Sequence, residues 1–436
     1  MIHVERKEKA DAVTYTVDRE IGPAEQSTYI EVPFRMPEKT EELEVRYEVT
    51  SRSPDRRAII DLGVKDAKRV RGWSGGARDS FRLGTEKATP GYLAGPLAPG
   101  DGWAVLLGAY RVPEDGCRVR VTIECRLMKP RWLKGDLHVH SVHSDGKYTL
   151  EETVRIMEHM GCDFVALTDH NAVSQNFAYP RNCDIVIIPG MEWTTNFGHC
   201  NMLGVPDPLD DFRVAGMDDV RRRLATARER GAKIVLNHPH CPNCGWLWDF
   251  DVDHDWVEVW NGPWSEANRK TLDWWQAQLV AGRRLTATGG SDKHRPHPLH
   301  THAMPATFVY SEAKTAEAIL RAIGEGRVFV SYAVDGPTME LRLGDYRMGD
   351  LVPADVAASE EAVFTAERVA AGDTVRLISD RGVERETTVA SGERIELEID
   401  IRGRKFIRAE IWRYFPVVDA TWMAAMSNPL YIEHGV

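Results

Sequence analysis

Two kinds of hydrophobic pattern divide the chain. From residue 1 to about residue 128, apolar and polar residues alternate in short runs, as at residues 12–17, 43–49 and 118–123. A period of two is typical of strands with one buried face, and turn-rich segments such as residues 96–102 separate these runs. Residues 1–128 are therefore predicted to form an antiparallel domain that resembles a β-sandwich.

At about residue 129 the pattern changes to short apolar strands that alternate with segments of helical period. The predicted helices cover residues 149–160, 218–230, 265–280 and 316–323. The strands predicted between and around them cover residues 164–167, 185–188, 233–236, 256–260, 285–288, 306–310 and 328–332. Strands joined through helices pair in parallel, so residues 129–335 are predicted to form an α/β domain, a distorted (β/α)7 barrel.

Beyond about residue 335 the helical period is absent again. Alternating runs at residues 339–343, 362–366, 374–378, 395–399 and 406–411 predict a C-terminal β domain over residues 336–436. A second antiparallel β-sandwich-like region, packed on the first or completing it, accounts for this pattern. The predicted architecture is thus an α/β barrel flanked by two β regions.

Histidines and acidic residues follow almost every predicted strand of the central domain. They are His138, His140, Asp145, His170, Glu192, His199, His238, Asp292 and His294. The loops at the carboxyl ends of barrel strands build the active site, so we expect these nine side chains to converge. Nine imidazole and carboxylate donors exceed the needs of one ion, which predicts two or three divalent metal ions, either zinc, manganese or iron.

Composition and charge narrow the class of protein. The 436 residues, 43% hydrophobic and 28% charged, are typical of a globular protein of several domains. The net charge of −11 argues against a broad nucleic-acid or anionic-membrane surface. The charged residues 1–10 lack the apolar core of a secretory signal and no 18-residue apolar run occurs, so we expect a cytoplasmic location.

The seven cysteines are an odd number in a long chain, which argues against a disulfide scaffold. The segment C-P-N-C, with Cys241 and Cys244, is compatible with a redox pair or with half of a zinc site. No second pair follows it in the sequence, so a packing role is the favoured interpretation.

Other segments leave alternatives open. The loops R-G-W-S-G-G at residues 71–76 and A-T-P-G-Y at residues 88–92 either reach toward a ligand or are tight turns with packed aromatic rings, and the second interpretation is favoured. His143 and His240 either support the ligands and substrate or are solvated. The histidines at 297, 300 and 302 either cover the pocket or form polar surface.

Six motifs carry the predicted donors: D-L-H-x-H-S-x-x-S-D-G, T-D-H-N, P-G-x-E, G-H-x-N, N-H-P and G-S-D-x-H. Together they resemble the polymerase-and-histidinol-phosphatase (PHP) superfamily over about residues 130–335. The flanking loops at residues 71–76 and 88–92, with A-M-x-N-P-x-Y at residues 425–431, resemble the CehA/McbA branch, named after carbaryl-degrading enzymes.

The resemblance implies a division of the donors among the metal ions. His138, His140, Glu192 and Asp292 would serve one ion, and Asp145, His170 and Glu192 a second. His199, His238 and His294 would complete the second and third positions. Glu192, His199, Asp292 and Arg295 are the predicted catalytic residues, and Arg295 and Lys293 would supply positive charge for an anionic group.

A metal pair that activates water hydrolyses esters, and no G-x-G-x-x-G or P-loop segment is present to bind an organic cofactor. The first hypothesis is a phosphoesterase of a small, anionic, phosphorylated substrate. The alternative keeps the centre and cleaves a carbamate, a carboxylic ester or an amide. A third hypothesis is a binding protein with a structural metal, ranked last because structural sites use four closed ligands. The oligomeric state is left open.

Overall fold

A computed structural model describes residues 2–51, 57–180 and 183–433. The chain divides into two compact units, Met1–Pro130 and Arg131–Val436. In the part of the chain that is described, no helix is both long enough and apolar enough to cross a membrane.

The first unit consists of nine strands in two antiparallel sheets. The strands are β1 (Ile2–Glu8), β2 (Ala12–Ile21), β3 (Tyr29–Met36), β4 (Thr40–Ser51), β5 (Ile59–Lys65), β6 (Val70–Trp73), β7 (Ser80–Gly84), β8 (Gly100–Arg111) and β9 (Cys117–Leu127). One sheet has the order β1-β2-β9-β4-β7 and the other β3-β8-β5-β6. Alternate residues of both sheets, among them Val17, Val45 and Val105, share one buried core, because strand side chains point to opposite faces in turn.

The two Gly-rich loops of this unit pack on its own core. The Tyr92 ring stacks on Phe81 with centroids 4.3 Å apart, and its hydroxyl donates to the Leu62 carbonyl at 3.1 Å. Gly72 lies so close to Tyr92 that a Cβ atom there would collide with the ring. The buried Arg71 donates hydrogen bonds to backbone carbonyls of the second loop. These contacts favour the interpretation of the loops as packed turns.

The second unit begins with alternating strands and helices. They are β10 (Arg131–Val139), α1 (Leu150–His159), β11 (Phe164–Leu167), α2 (Gln175–Ala178), β12 (Val186–Thr195), β13 (Gly198–Leu203), α3 (Met217–Glu229), β14 (Lys233–Leu236), β15 (Trp256–Asn261), α4 (Glu266–Val280), β16 (Thr286–Gly290), β17 (Ala306–Ser311), α5 (Ala316–Gly324) and β18 (Val328–Ser331). The Thr149 side chain accepts from the Glu152 backbone and the Glu152 carboxylate accepts from the Thr149 N–H, so a capping box begins α1 as predicted.

The sheet of this unit is mixed and differs from the predicted barrel. Its order along these strands is β16-β15-β14-β13-β12-β11-β10-β17-β18, and the described strands form no closed barrel. Strand β13 pairs antiparallel with both neighbours, and β17 pairs antiparallel with β10. Only two residues, Asn196 and Phe197, separate β12 from β13. So short a connection makes a hairpin, whereas a parallel pair needs a crossover.

The ends of β10 and β16 nevertheless meet. The Asp292 N–H donates to the His138 carbonyl at 2.8 Å, and the His140 N–H donates to the Lys293 carbonyl at 3.0 Å. An isolated parallel bridge joins Val139 to Lys293. The carboxyl ends of β10 and β16 are thus adjacent in space, although five strands lie between them in the sheet order.

The remaining strands extend this unit. They are β19 (Thr338–Leu343), β20 (Tyr346–Arg347), β21 (Leu351–Val352), β22 (Ala362–Glu367), β23 (Thr374–Ser379), β24 (Gly382–Thr388), β25 (Arg394–Ile399), β26 (Phe406–Phe415), β27 (Ala420–Ser427) and β28 (Leu430–Ile432), with helix α6 (Ala354–Ser359). Strand β27 pairs with β18, so the large sheet continues through β27-β26-β23-β24. A separate sheet, β20-β19-β22-β25, shares its core with the large one. A domain boundary at residue 335 stays a prediction.

Candidate metal centre

The structure brings all nine predicted donors together. Strand β10 leads to His138, His140 and Asp145, and β11 leads to His170. Glu192 and His199 lie on β12 and β13, where they face the same centre. His238 follows β14, and Asp292 and His294 follow β16. Their ligand atoms form overlapping groups in which all atoms lie within 4.8 Å of one another.

Glu192 lies at the centre of the cluster and is fully buried. Imidazole nitrogens of five histidines lie near its carboxylate: His138 Nε2 at 3.3 Å, His199 Nδ1 at 3.2 Å and His238 Nε2 at 3.4 Å from Oε1, and His140 Nε2 at 3.4 Å and His170 Nδ1 at 2.7 Å from Oε2. One carboxylate thus faces the ligand atoms of more than one group, which is the arrangement of a bridging ligand.

Two further carboxylates complete the cluster. Asp292 Oδ1 lies 3.0 Å from His140 Nε2 and 3.4 Å from His138 Nε2. Asp145 Oδ1 lies 3.3 Å from His294 Nε2 and 3.7 Å from His170 Nε2. Two of the groups are therefore His138, His140 and Asp292, and His140, Asp145, His170 and His294, while Glu192 groups with His138 and His238 and with His170 and His199.

The hydrogen bonding of these atoms tests whether the site fits metal ions. His138 Nε2, both ring nitrogens of His140, His199 Nδ1 and Glu192 Oε2 are buried without a hydrogen-bond partner. Four of these five atoms, all except His140 Nδ1, lie at ion-pair distance from a partner in the cluster. Buried polar atoms are nearly always satisfied, so a cluster of orphaned nitrogen and oxygen atoms fits divalent cations between them.

Electrostatics agree with that fit. Burial alone would raise the pKa of the Glu192 carboxyl, but the imidazoles around it, His138 foremost, hold that pKa well below its ordinary value. Burial opposes protonation of His138, yet Glu258, Asp292 and Glu192 raise its pKa well above the ordinary one. By contrast, burial lowers the pKa of His140. A divalent cation needs neutral imidazoles as ligands, so it would displace the proton that the carboxylates favour on a ring such as His138.

Sequence reasoning missed Glu258, which supports the ligands from behind. Its Oε1 atom lies 2.9 Å from His138 Nδ1, and its Oε2 atom accepts from the His238 backbone N–H and from Asn261 Nδ2, both at 3.0 Å. Asn237 Nδ2 similarly donates to Glu192 Oε1 at 2.8 Å. A signal was present, since Glu258 is the charged residue of an otherwise apolar buried strand, W-V-E-V-W.

Backbone strain collects at the same strand ends. Asn171, His238 and Asp292 have φ angles of 48°, 30° and 51°, in the left-handed region that non-glycine residues rarely adopt. A Cβ atom at Gly290 would collide with the His138 side chain and lie 2.6 Å from Glu258 Oε1. Strain of this kind persists where surrounding contacts over-determine the conformation, as they do at functional sites.

The two predicted cations differ in their surroundings. Lys293 is buried, and its ammonium group donates to the His300 carbonyl. Lys293 is therefore held by the backbone of a neighbouring loop, and the expectation that it meets an anionic substrate lacks support. Arg295, one residue after His294, is exposed to solvent.

Three further histidines, His143, His240 and His302, lie in different surroundings. His143 Nδ1 lies 2.7 Å from the Ser174 hydroxyl, and His240 Nδ1 lies 3.2 Å from the Thr271 hydroxyl. His302 is fully buried, so a role as polar surface is wrong for this residue. The Cys244 sulfur lies 3.7 Å from His238 Nδ1, a contact that the packing interpretation did not foresee.

Exposure differs across the cluster. The side chains of His138, His140 and Glu192 are 0% exposed, whereas those of Asp145, His170 and His294 are 58%, 24% and 21% exposed. The cluster is thus buried around His138, His140 and Glu192 and reaches solvent at Asp145.

Comparisons with known proteins give weak likenesses. No family profile matches the sequence, and no curated protein matches it. A two-domain protein from Bacteroides vulgatus, described as containing a predicted PHP-like metal-dependent phosphoesterase, shares 19% identity over 69% of this chain and 96% of its own, with a TM-score of 0.39.

Two further solved structures each match 38% of this chain with a TM-score of 0.27. One is an amidohydrolase from Chromobacterium violaceum with bound sulfate and no metal, which is 17% identical over 89% of its own length. The other is a putative metal-dependent phosphoesterase from Bifidobacterium adolescentis, 16% identical over 90% of its length. Because these TM-scores are low, functional inference rests on the site geometry.

Proposed function

We propose that this protein is a metal-dependent hydrolase of the PHP type that holds two or three divalent ions. The observation that carries the proposal is the buried Glu192 carboxylate, faced by five imidazoles, several of whose nitrogens have no hydrogen-bond partner. A structural site needs four closed ligands, whereas this cluster has nine donors and is open to solvent at Asp145.

The proposed division of labour follows the groups of donors. His138, His140 and Asp292 would hold one ion, and Asp145, His170 and His294 a second. Glu192 would be shared between ions, with His199 and His238 beside it. Bound divalent ions would supply an activated water nucleophile at neutral pH and stabilise negative charge on the leaving group. Glu258 orients the His138 ring, and Asn237 holds one oxygen of Glu192 in place.

We favour a small phosphorylated substrate. A polynuclear cluster balances the charge of a phosphoryl group, and the open side at Asp145 admits a small molecule. Arg295 is the exposed cation beside His294 and supplies a further positive charge for an anionic substrate. Arg295, with Glu192, His199 and Asp292, thus stays among the proposed catalytic residues.

One observation favours the second candidate, a hydrolase of carbamates, carboxylic esters or amides. A cavity of about 360 Å³ has a mostly apolar lining, which includes the aromatic side chains of Trp260, Trp264, Tyr332, Phe415 and Trp422. Gly262 also lines it and follows Asn261, whose Nδ2 atom lies 3.3 Å from Asp292 Oδ2. An apolar cavity linked to Asp292 through Gly262 and Asn261 suits an uncharged aromatic portion of a substrate.

The experiment combines elemental analysis with a matched panel of substrates. The protein is reconstituted with Mn²⁺ or Zn²⁺, and rates are measured on a phosphomonoester, a phosphodiester, a carbamate and a carboxylic ester of one and the same phenol. Metal-dependent turnover that is fastest on a phosphate supports the first candidate, and fastest turnover of the carbamate or carboxylic ester supports the second. Two or more ions per chain without turnover of any substrate would contradict both.

A further inference from the structure

His238 has different partners on its two ring nitrogens. Nε2 lies 3.4 Å from Glu192 Oε1, inside the metal cluster, and Nδ1 lies 3.7 Å from the Cys244 sulfur. The Cys244 sulfur is in turn 2.9 Å from the sulfur of Cys241. A pair of thiols therefore lies directly behind a proposed metal ligand.

The backbone between His238 and Trp246 holds this pair in position. The Cys241 N–H donates to the His238 carbonyl at 2.8 Å, and the Gly245 N–H donates to the Cys241 carbonyl at 3.0 Å. A Cβ atom at Gly245 would lie 2.5 Å from the Cys241 carbonyl oxygen, so glycine is needed for the turn to close. The turn sets both cysteine side chains on the side of His238.

The sulfur separation distinguishes two uses of the pair. Two thiolates on one tetrahedral zinc ion, with bonds of about 2.3 Å, lie about 3.8 Å apart. A disulfide has a sulfur–sulfur distance of about 2.05 Å. The observed 2.9 Å is shorter than the zinc-bound separation, which favours the disulfide. His238, Cys241 and Cys244 each offer one ligand atom within 4.8 Å of the others, so a zinc ion on these three residues is the alternative.

The pair is also the accessible one. Cys241 and Cys244 are partly exposed, and the two residues between them are exposed. Of the other cysteines, four are buried, namely Cys117, Cys125, Cys162 and Cys200, and Cys183 is partly exposed but distant from them in sequence. An oxidant in solution reaches this pair before it reaches the buried thiols.

We propose that Cys241 and Cys244 form a reversible disulfide that controls metal binding through His238. The control over metal rests on the proposed function, whereas the disulfide itself does not. With a peroxide as oxidant, the Cys244 thiolate attacks one peroxide oxygen, the O–O bond breaks and hydroxide leaves, which gives a sulfenic acid. The Cys241 thiol then displaces the sulfenic oxygen as water, so that two thiols and one peroxide yield one disulfide and two waters. A dithiol reductant reverses the bond by exchange.

Bond formation changes the surroundings of the ligand. In the reduced protein Cys244 offers a sulfur acceptor to His238 Nδ1, in the way that a carboxylate or carbonyl steadies other metal-binding histidines. In the disulfide that sulfur bonds to Cys241 and is a poorer acceptor. Loss of such an outer partner lowers metal affinity roughly 10–100-fold, and Cys244 is thus a positioning residue.

The test uses the full chain with hydrogen peroxide as oxidant and Mn²⁺ as the metal probe, because manganese binds thiolates poorly. We expect peptide mapping to find a Cys241–Cys244 disulfide that dithiothreitol reverses, and we expect oxidation to weaken Mn²⁺ binding at least roughly 10-fold. Cys241→Ser should form no such disulfide and should keep its Mn²⁺ affinity in peroxide. Cys183→Ser, the matched control, should behave as wild type.

Three results would overturn the proposal. The first is that the pair stays reduced while the other thiols oxidise. The second is that the disulfide forms without any change in Mn²⁺ affinity. The third is that stoichiometric Zn²⁺ shields both thiols from alkylation, which would identify the pair as a metal site. Mapping of the disulfide needs neither metal nor turnover. If the proposed function is wrong, the reduced protein will bind no Mn²⁺. In that case the disulfide no longer controls metal binding, but peptide mapping still shows whether the disulfide forms.

Discussion

The Nδ1 atom of His138 lies 2.9 Å from the Oε1 atom of Glu258, while the Nε2 atom of the same ring faces Glu192 at 3.3 Å. One ring thus connects a carboxylate in the cluster with a carboxylate behind it. The outer carboxylate determines the orientation of the ring and which nitrogen faces the cluster.

Replacing Glu258 tests this relationship. Glu258→Gln retains the size of the side chain but removes the negative charge opposite His138 Nδ1, so we expect metal affinity to fall about 10–100-fold with the fold intact. Titration with Mn²⁺ measures the affinity, and circular dichroism monitors the fold. Glu312→Gln, at an exposed site paired with Arg321, is the control. Equal affinities of the two variants would show that Glu258 does not position the ring.

Replacing the Glu192 carboxylate should reduce the binding of more than one metal ion. In Glu192→Gln the amide cannot bridge two cations, and its five imidazole neighbours lose their shared anion. We expect the metal content per chain, measured by elemental analysis after dialysis, to fall by more than one ion. Glu266→Gln, in the exposed first turn of α4, should retain the wild-type content. A fall of one ion or less in Glu192→Gln would argue that Glu192 does not bridge two metal ions.

The close approach of β16 to β10 can be tested at Gly290. In Gly290→Ala the new methyl group collides with His138 and meets Glu258 Oε1 at 2.6 Å, so we expect a loss of about 1–3 kcal/mol in the free energy of unfolding. Metal affinity should fall as well. Gly324→Ala places a methyl group in open space at the end of α5 and should leave stability equal or slightly higher. Urea unfolding compares the two, and similar stabilities would refute the tight contact.

His302 should make stability depend on pH. It is fully buried, both ring nitrogens lack hydrogen-bond partners, and burial together with nearby Lys293 lowers its pKa to about 4 from the ordinary 6.5. Below pH 6.5 the His302 side chain is protonated in the unfolded chain, whereas in the folded protein it stays neutral down to about pH 4. Stability is therefore complete above pH 6.5 and falls with the pH in that window, by about 2 kcal/mol between pH 7 and pH 5.

Urea unfolding with a chelator present, at pH 7 and at pH 5, measures this contribution. His302→Leu should lose about 2 kcal/mol of the pH dependence, whereas the exposed His159→Leu should retain the wild-type dependence. A pH dependence in His302→Leu equal to that of wild type would show that the buried ring does not resist protonation.

Much of the second unit follows from local pattern. The helices α1, α3, α4 and α5 lie within one or two residues of the predicted bounds, because helical period, capping residues and terminal glycines are local signals. The nine donors could likewise be found from the sequence, since most of them lie near or just after the end of a predicted apolar strand and strand ends meet at one edge. Their roles as ligands stay a proposal.

Other features depended on contacts between distant residues. The antiparallel strand β13 is absent from the prediction, and so short a strand looks the same in either direction. Lys293 turns toward His300, and Cys244 lies behind His238, for reasons of packing that no spacing reveals.

The sequence by itself determined the periods of apolar and polar positions, where helices begin and end, and which residues carry metal-binding chemistry, because these depend on side-chain type and period along the chain. Only the tertiary structure decided that Glu258 supports His138 and that five imidazoles surround Glu192. Such contacts join residues up to 120 positions apart, and the pairing of strands, not local propensity, determines their distances.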